Sequence, residues 1–314
     1  MTRMEKRGLA DLRAMNRKKR LQKILALKRK PTPESTNEAS ALVIGVGPGI
    51  CTVAVEGDSR QCRCDLPVAP GDLVSIRHEK VAAIAPRRTS LARIDPSNPH
   101  RERVVAANID LLVIVAAIKD PPFRPGLVDR YLVAAARGGV QPVLCINKID
   151  LGADMAIADL WKESGIPVVP CSTQTGAGID ALRGLMAGSL VVLAGHSGVG
   201  KSSLLNSLAG DPGAAVGNVN DHTGKGRHTT TSARLYQLRN GARIIDTPGI
   251  REFGLGPVSL TELRLAFPDF ASFLCRFRDC THRSEPGCGV CYAAESGEIA
   301  NTRYTAWLRM TEDL

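Results

Sequence analysis

The sequence predicts a multidomain chain: a small β-barrel, an α/β domain with a glycine-rich loop, and a C-terminal α-helical region around a Cys/His cluster. Three observations lead to this fold class. Short β-type runs fill 41–93, strand and helix patterns alternate over 109–210, and cysteines cluster with a histidine in 275–291. We expect the domain ranges to be 1–40 (basic arm and linker), 41–95, 96–256 and 257–314.

A basic arm begins the chain. Residues 1–30 hold twelve Lys and Arg against two acidic residues, which accounts for the whole net charge of +10. Such an arm typically neutralises nucleic-acid phosphates. A solubilising tail and an organelle transit peptide are alternatives, although abundant lysine and absent serine disfavour a transit peptide. The polar stretch 31–40 is typical of a linker.

Bulk composition narrows the class of protein. The hydrophobic fraction of 44% is ordinary for a soluble globular protein. No apolar run approaches the ~18 residues of a membrane span, and no charged-then-apolar start suggests a secretory signal. Nine cysteines, an odd number, favour a reducing compartment. We therefore expect a cytoplasmic monomer with no membrane partner.

The runs ALVIGV, CTVAV, DLVSI and VAAIA predict short strands separated by tight turns. Several short strands without a helix suggest a small barrel or sandwich, and a five-stranded oligonucleotide-binding barrel (OB-fold) is a candidate. The basic stretch Pro86–Arg93 is expected to form a solvated loop or an RNA-contacting edge. We interpret Cys51, Cys62 and Cys64 as packing or surface cysteines, because the C-x-C spacing differs from a zinc knuckle.

Strand and helix patterns then alternate along the chain. Alternation of this kind predicts a mostly parallel sheet that helices cover on both faces. The predicted strands are IDLLVIVAAI, QPVLCIN and IPVVP, and the predicted helices are LVDRYLVAAARGG, ADMAIADLWKESG and GIDALRGLMAG.

The segment GHSGVGKSS matches the phosphate-binding pattern G-x-x-x-x-G-K-[ST]. An apolar strand precedes it and a helix ending at Gly210 comes after it, a context that disfavours a chance glycine-rich turn. Its backbone N–H groups can surround phosphate oxygens. We expect Lys201 to reach the β- and γ-phosphates and Ser202 to hold Mg²⁺. The predicted phosphate-binding residues are Gly195, His196, Ser197, Gly198, Val199, Gly200, Lys201, Ser202 and Ser203.

The tetrapeptide Asn147, Lys148, Ile149, Asp150 follows an apolar strand and matches the guanine-reading motif N-K-x-D. One carboxylate, Asp150, can accept both N–H donors on the guanine edge, and adenine offers no such pair. The Asn147 amide can bridge the base and the phosphate loop, and the Lys148 stem can lie over the base. Alone, the motif is compatible with a polar turn. Together with a phosphate loop, it predicts a site for GTP and GDP.

A third nucleotide motif is DTPG, which follows the strand ARIID. D-x-x-G places Asp246 in the Mg²⁺ shell and the Gly249 N–H at the γ-phosphate. The polar segment GKGRHTTT lies between the phosphate loop and DTPG, as a switch loop does. Thr229 or Thr230 is the candidate that completes Mg²⁺ coordination in the GTP state.

The residue after the D-x-x-G motif bears on catalysis. Some GTPases orient water with a glutamine after D-x-x-G, and Ile250 stands there, so we expect slow intrinsic hydrolysis. His228 is a candidate to orient the water instead, and the alternative is that it is only a histidine on a surface loop.

The order of the motifs is also unusual. NKID precedes the phosphate loop, whereas ordinary GTPases have the reverse order. The sequence therefore predicts a circularly permuted GTPase domain.

The C-terminal cluster CRFRDCTHRSEPGCGVC predicts a zinc site, because Zn²⁺ favours four S or N ligands. We expect Cys275, Cys280, His282 and Cys288 to be the ligands and the site to be structural. The alternative omits His282 and uses Cys291. Reduced cysteines without metal are a further alternative.

These motifs together resemble the ribosome small subunit-dependent GTPase A family of bacteria. The resemblance rests on NKID, GHSGVGKSS, GRHTTT, DTPGIREFGL and CRFRDCTH…EPGC in that order, and covers residue 41 to the C-terminus. It implies an OB-fold barrel, a permuted GTPase domain and a zinc domain. It also implies GTP hydrolysis that the small ribosomal subunit stimulates late in its maturation, with rRNA as partner. By resemblance, His228 is the switch histidine and His282 a zinc ligand.

Two other classes of protein remain open from the residues alone. One is a non-catalytic RNA-binding protein that uses GTP as a structural ligand. Ile250 favours this class, because it stands where some GTPases have a water-orienting glutamine. An ATP-using P-loop enzyme is the third possibility, and the NKID motif argues against it.

Overall fold

A closed five-stranded barrel begins the described part of the chain. The computed structural model describes residues 40–55, 58–95, 98–152, 156, 161–162, 165–209, 234–246 and 258–312. The barrel strands are neighbours in the order β1-β2-β3-β5-β4, and β4 pairs with β1 to close it. Their bounds are β1 Ser40–Gly47, β2 Ile50–Val55, β3 Asp58–Arg63, β4 Leu73–Arg77 and β5 Lys80–Ile84. The basic arm lies outside the described residues.

The barrel interior contains valines and three cysteines. Cys51, Cys62 and Cys64 are buried beside Val53 and Val81, which confirms that these cysteines serve packing. Burial raises the pKa of Cys51 to about 12, so its thiol stays neutral at physiological pH.

The basic stretch Pro86–Arg93 begins as a loop, as its composition suggested, and ends in a strand. The Arg87 guanidinium donates to both carboxylate oxygens of buried Asp72, at 2.7 and 2.8 Å. The Arg88 N–H donates to the Asn108 side-chain oxygen at 2.9 Å. Residues from Ser90 onward form a strand. Because these arginines are held by polar partners within the chain, the stretch is an ordered connection between the barrel and that strand.

A two-stranded hairpin follows the barrel, and a barrel turn packs against its end. Strands β6 (Ser90–Asp95) and β7 (Asn98–Ala107) pair antiparallel. The barrel turn at Gly71 packs so closely on the end of β7 that a Cβ would lie 1.9 Å from the Ala107 oxygen. Its φ of +93° also requires glycine. The sequence pattern did not predict this hairpin.

A six-stranded sheet, in the order β10-β9-β8-β11-β13-β12, forms the centre of the α/β part. All neighbouring pairs are parallel except the β12–β13 pair at one edge. This confirms the predicted mostly parallel sheet. The bounds are β8 Leu111–Ala117, β9 Gln141–Asn147, β10 Val168–Pro170, β11 Leu190–Ala194, β12 Arg234–Gln237 and β13 Arg243–Asp246.

Helices cover both faces of the sheet. Successive side chains of β8 therefore point to opposite faces and pack in two different hydrophobic cores. Helix α1 (Pro125–Gly138) and the C-terminal helices pack on one face. Helices α2 (Ile179–Met186) and α3 (Lys201–Ala209) pack on the other. Most of the predicted helix ADMAIADLWKESG lies outside the described residues, although Trp161 and Lys162 are helical.

The described C-terminal residues, 258–312, form three helices. A capping box between Ser259 and Glu262 starts the first, which ends at Ala266 ahead of a 3₁₀ turn. No described helix is both long and apolar enough to cross a membrane. The helices are α4 Leu260–Ala266, α5 Gly289–Glu295 and α6 Asn301–Glu312, and the 3₁₀ turn is Phe270–Ser272.

Candidate guanine-nucleotide site

The phosphate loop comes after β11 and leads directly into α3, as the sequence predicts. Gly195 is packed so that a Cβ would lie 2.2 Å from the Val115 oxygen. Gly198 and Gly200 have φ values of +83° and +92°, which only glycine adopts readily. The loop conformation therefore depends on its glycines.

The side chains of the loop divide into inward and outward sets. Val199 is buried, whereas His196 is half-buried and Ser197 is exposed. Ser202 and Ser203 are exposed on the first turn of α3. Their hydroxyls are therefore accessible beside the backbone N–H groups at the start of the helix.

Lys201 folds back over the loop. Its ammonium donates to the backbone oxygens of Gly195, at 2.7 Å, and His196, at 2.8 Å. These neutral acceptors can be exchanged for phosphate oxygens, which bind an ammonium more strongly because they are charged. The lysine is thus already beside the loop that a phosphate would enter.

Asn147 ends β9 and joins the two motifs. Its side chain is fully buried, and its amide N–H donates to the Val199 oxygen at 2.9 Å. Among the described residues its side-chain oxygen is buried without a hydrogen-bond partner. A buried acceptor of this kind is costly unless a ligand satisfies it. It therefore fits a nucleotide site that a donor group completes.

Asp150 and Lys148 lie on the turn after β9. Lys148 has a left-handed backbone, with φ of +64°, and its ammonium donates to the Asp120 oxygen. Ile149 is half-buried against the core, and its N–H donates to the Cys171 oxygen at 3.2 Å. The Asp150 carboxylate is exposed, so it is accessible to a ligand.

Ser172 is a site residue that the sequence pattern did not reveal. Its hydroxyl donates to Asp150 at 2.5 Å and accepts the N–H groups of Gln174 and Thr175 at 3.2 and 3.1 Å. Because both N–H groups occupy its lone pairs, its one proton points at Asp150. The available signal was the polar turn CSTQTG directly after the strand IPVVP, at the same sheet edge as NKID.

The third motif is described only in part. Asp246 ends β13, next to β11 in the sheet, so it lies at the edge where the phosphate loop begins. Gly249, His228, Thr229 and Thr230 lie outside the described residues.

Cys275, Cys280, His282 and Cys288 come together in the C-terminal region, with ligand atoms within 4.8 Å of one another. The His282 Nδ1 lies 3.4 Å from each of two sulfurs, Cys275 Sγ and Cys288 Sγ, and these sulfurs are 3.8 Å apart. A tetrahedral zinc ion would separate two sulfurs by about 3.8 Å and a sulfur and a nitrogen by about 3.5 Å. The donor set and its spacing therefore fit zinc.

Cys291 lies outside this group of four. Its sulfur contacts the Tyr304 hydroxyl at 3.3 Å, and its N–H donates to the Cys288 sulfur at 3.4 Å. Burial lowers the pKa of His282, which favours the neutral imidazole that metals bind. The geometry thus favours His282 over Cys291 as the fourth ligand.

The surrounding backbone is held by two polar side chains. Glu285 accepts the Thr281 N–H and hydroxyl at 2.6 and 2.5 Å and the Arg283 N–H at 3.0 Å. Burial opposes ionisation, but these hydrogen bonds outweigh it and lower the pKa of Glu285 to about 2. The Trp307 indole donates to the Thr281 oxygen at 2.8 Å.

The fold and this site define a P-loop protein in which the N-K-x-D segment precedes the phosphate loop. A family model described as RsgA GTPase matches residues 84–256, and this chain belongs to that family. The small ribosomal subunit biogenesis GTPase RsgA of Pseudomonas putida is 45% identical over 235 residues, which cover 72% of this chain and 68% of that protein.

Two solved structures are similar over most of the chain. YjeQ from Thermotoga maritima matches with a TM-score of 0.68 and 29% identity, over 88% of this chain and 98% of that one. YloQ, described as a circularly permuted GTPase, matches with a TM-score of 0.64 and 27% identity, over 90% of this chain and 98% of that one. The predicted circular permutation is thereby confirmed.

Proposed function

We propose that this chain hydrolyses GTP to GDP and phosphate in small ribosomal subunit biogenesis, and that the subunit stimulates the reaction. The observation that carries this proposal is the 2.9 Å bond from the Asn147 amide to the Val199 oxygen. It joins a guanine-reading turn to a phosphate-binding loop. Membership of the RsgA GTPase family supports GTP hydrolysis, and its relatives' names supply the ribosomal assignment.

Asp150 accepts the two N–H donors of guanine in this proposal. Ser172 fixes the carboxylate by donating to one of its oxygens. The Lys148 stem lies along the base, and the Asn147 oxygen receives a donor from the nucleotide. Adenine is rejected because it would leave the Asp150 carboxylate unpaired.

Lys201 leaves the two loop carbonyls and binds the β- and γ-phosphates. The Ser202 hydroxyl and Asp246 would hold Mg²⁺, an ion that would offset the charge developing on the phosphates. Thr229 or Thr230 would complete the Mg²⁺ shell in the GTP state, and the Gly249 N–H would contact the γ-phosphate. His228 orients the attacking water when the subunit is bound, since Ile250 cannot do so.

The flanking parts dock on ribosomal RNA in this proposal. The strand order of the barrel supports an OB-fold, a fold that binds oligonucleotides on its surface. The basic arm adds phosphate contacts. Cys275, Cys280, His282 and Cys288 would hold one structural Zn²⁺, which would fix the loops of the C-terminal region. The domain ranges remain 1–40, 41–95, 96–256 and 257–314.

GTP turnover with and without purified small ribosomal subunits tests this function. We expect slow turnover of the protein alone and strong stimulation by small subunits, with large subunits as the control. His228→Ala should lose the stimulated rate and keep GDP affinity. Unchanged GTP after long incubation with small subunits would contradict the proposal and favour GTP as a structural ligand.

A further inference from the structure

Tyr304 of α6 lies between the two residues that compete for the fourth ligand place of the Cys/His cluster. Its hydroxyl oxygen is 3.0 Å from the His282 backbone oxygen and 3.2 Å from the Arg283 backbone oxygen. The same hydroxyl oxygen is 3.3 Å from the Cys291 sulfur. One side chain therefore contacts both the loop of the predicted histidine ligand and the cysteine that is the alternative to it.

The single proton of this hydroxyl is directed to the backbone. A tyrosine hydroxyl has one proton to donate, and the two backbone oxygens can only accept it. In the contact between Tyr304 and Cys291, the thiol is therefore the donor and the tyrosine oxygen is the acceptor. Zinc binds cysteine as the thiolate, so a thiol that donates its hydrogen to Tyr304 is not a ligand.

Cys291 is otherwise well placed to bind the metal. It lies on the first turn of α5, whose N-cap is Cys288, and its N–H donates to the Cys288 sulfur at 3.4 Å. The two cysteines form a C-x-x-C segment, a spacing that is common among zinc ligands. Distance along the chain therefore does not explain why Cys291 lies outside the group of four, whereas its contact with Tyr304 does.

The loop around His282 also depends on α6. The backbone of His282 is left-handed, with φ of +57°, which is unfavourable for a residue with a side chain. Tyr304 holds the His282 carbonyl group, and Trp307, one turn later, donates to the Thr281 oxygen at 2.8 Å. The Trp307 ring also packs against the imidazole, with 5.2 Å between the ring centroids. Helix α6 thus fixes both the backbone and the ring of His282.

We propose that Tyr304 selects the ligand set of the zinc site: its hydroxyl keeps His282 in the fourth ligand place and keeps Cys291 out of it. Tyr304 is a positioning residue, because it acts through the loop backbone and through the thiol and supplies no ligand atom. The inference rests on the proposed zinc site and concerns the choice of its ligands.

Tyr304→Phe tests the inference, because it removes the hydroxyl and keeps the ring. The protein is stripped of metal and loaded with Co²⁺, whose absorption spectrum reports the number of thiolate ligands. We expect three thiolates and one imidazole in the wild type and four thiolates in Tyr304→Phe. The sulfur-to-cobalt absorption should then rise by about a third, because a fourth thiolate joins three. A spectrum unchanged from wild type would overturn the inference.

Two further variants identify the incoming thiolate and control for the loss of a hydroxyl. Adding Cys291→Ser to Tyr304→Phe should return the spectrum to three thiolates, and a spectrum that keeps four would contradict the role of Cys291. The matched control is Tyr292→Phe, because Tyr292 lies next to Cys291 on α5 and is 69% exposed. It should keep the wild-type spectrum, and a fourth thiolate in this variant would also overturn the inference.

His282→Ala gives a test that keeps Tyr304 and so does not depend on how Tyr304→Phe folds. With the hydroxyl present, Cys291 should not replace the missing imidazole, so we expect either three thiolates or no bound Co²⁺. Four thiolates in His282→Ala would show that the hydroxyl does not exclude Cys291. If the wild-type protein binds neither Zn²⁺ nor Co²⁺, the proposed zinc site itself fails, which is a different result.

Discussion

At the scale of single residues, Asn147 joins two segments that are far apart in the sequence. Its fully buried amide donates to Val199, and a Cβ on Gly200 would lie 2.4 Å from its nitrogen. This contact leaves little freedom for the turn Asn147–Asp150 to move independently of the phosphate loop. Base and phosphate recognition should therefore be energetically coupled.

Asn147→Ala should weaken GDP binding at least tenfold, because the buried Val199 oxygen loses its donor and the loop loses its support. Fluorescence titration with a labelled GDP measures this. The matched control is Asn240→Ala, which removes an amide that donates to the Arg183 oxygen at 2.7 Å. Equal losses of affinity in the two variants would contradict a specific role for Asn147.

Glu285 gives a prediction about pH. Its pKa falls from 4.5 to about 2 in the folded protein, so it stabilises the fold above pH 4.5 and loses this contribution as pH falls towards 2. Glu285→Gln should lower the melting temperature by roughly 2–4 °C at pH 7 and by less at pH 3, measured by calorimetry. The exposed Glu298→Gln serves as control. A difference in melting temperature between Glu285→Gln and wild type that grows as the pH falls would contradict this prediction.

At the scale of elements, α1 connects the sheet to the C-terminal helices through a buried ion pair. Arg303 of α6 donates to Asp129 at 2.6 Å and to Asp269 at 3.0 Å, and its guanidinium lies 3.8 Å from the centre of the Phe267 ring. The Trp161 indole also donates to Asp129, at 3.3 Å. Since both charges are buried, each depends on the other.

Arg303→Met should destabilise the protein by about 3–5 kcal/mol in urea unfolding, because Asp129 stays buried without its cation. Burial already raises the pKa of Asp129, and Arg303 opposes that shift. Without Arg303 the folded state favours protonated Asp129 more strongly, so stability relative to wild type should recover as pH falls.

Adding Asp129→Asn to Arg303→Met should restore part of the stability at neutral pH. If the double variant is less stable than Arg303→Met, the ion pair does not explain the loss.

The elements that can be predicted from the sequence are those with strong periodicity. The buried strands β8, β9 and β11 read as apolar runs, and α3 comes after the phosphate loop as expected. The β6–β7 hairpin was missed because its basic residues, including Arg93 and Arg103, which face each other across the two strands, resemble a polar loop in the sequence. Ser172 was missed for a similar reason, since only tertiary structure brings it to Asp150.

At the scale of the whole molecule, the Cys/His cluster belongs to the main core. Cys280 and Cys288 lie in the same hydrophobic cluster as α1 and β8. Loss of zinc should therefore weaken the protein as a whole. The motif spacing predicted the ligands, but only the packing reveals this connection.

Zinc chelation should shift the main thermal transition to lower temperature, with no separate early transition. Cys280→Ser should abolish the one equivalent of zinc, measured by elemental analysis, because it removes a member of the group of four. Cys291→Ser should retain zinc, since its sulfur contacts Tyr304. Zinc lost in Cys291→Ser and kept in Cys280→Ser would contradict the ligand assignment.

The most direct test of the account is the nucleotide specificity of Asp150→Asn, since the account holds that NKID and the phosphate loop form one guanine site despite their reversed order. Binding and hydrolysis of GTP and XTP are compared between wild type and variant. An asparagine amide can donate to the xanthine oxygen that replaces the guanine amino group. The account predicts lost GTP affinity and gained XTP affinity. Unchanged GTP affinity with no gain for XTP would contradict it.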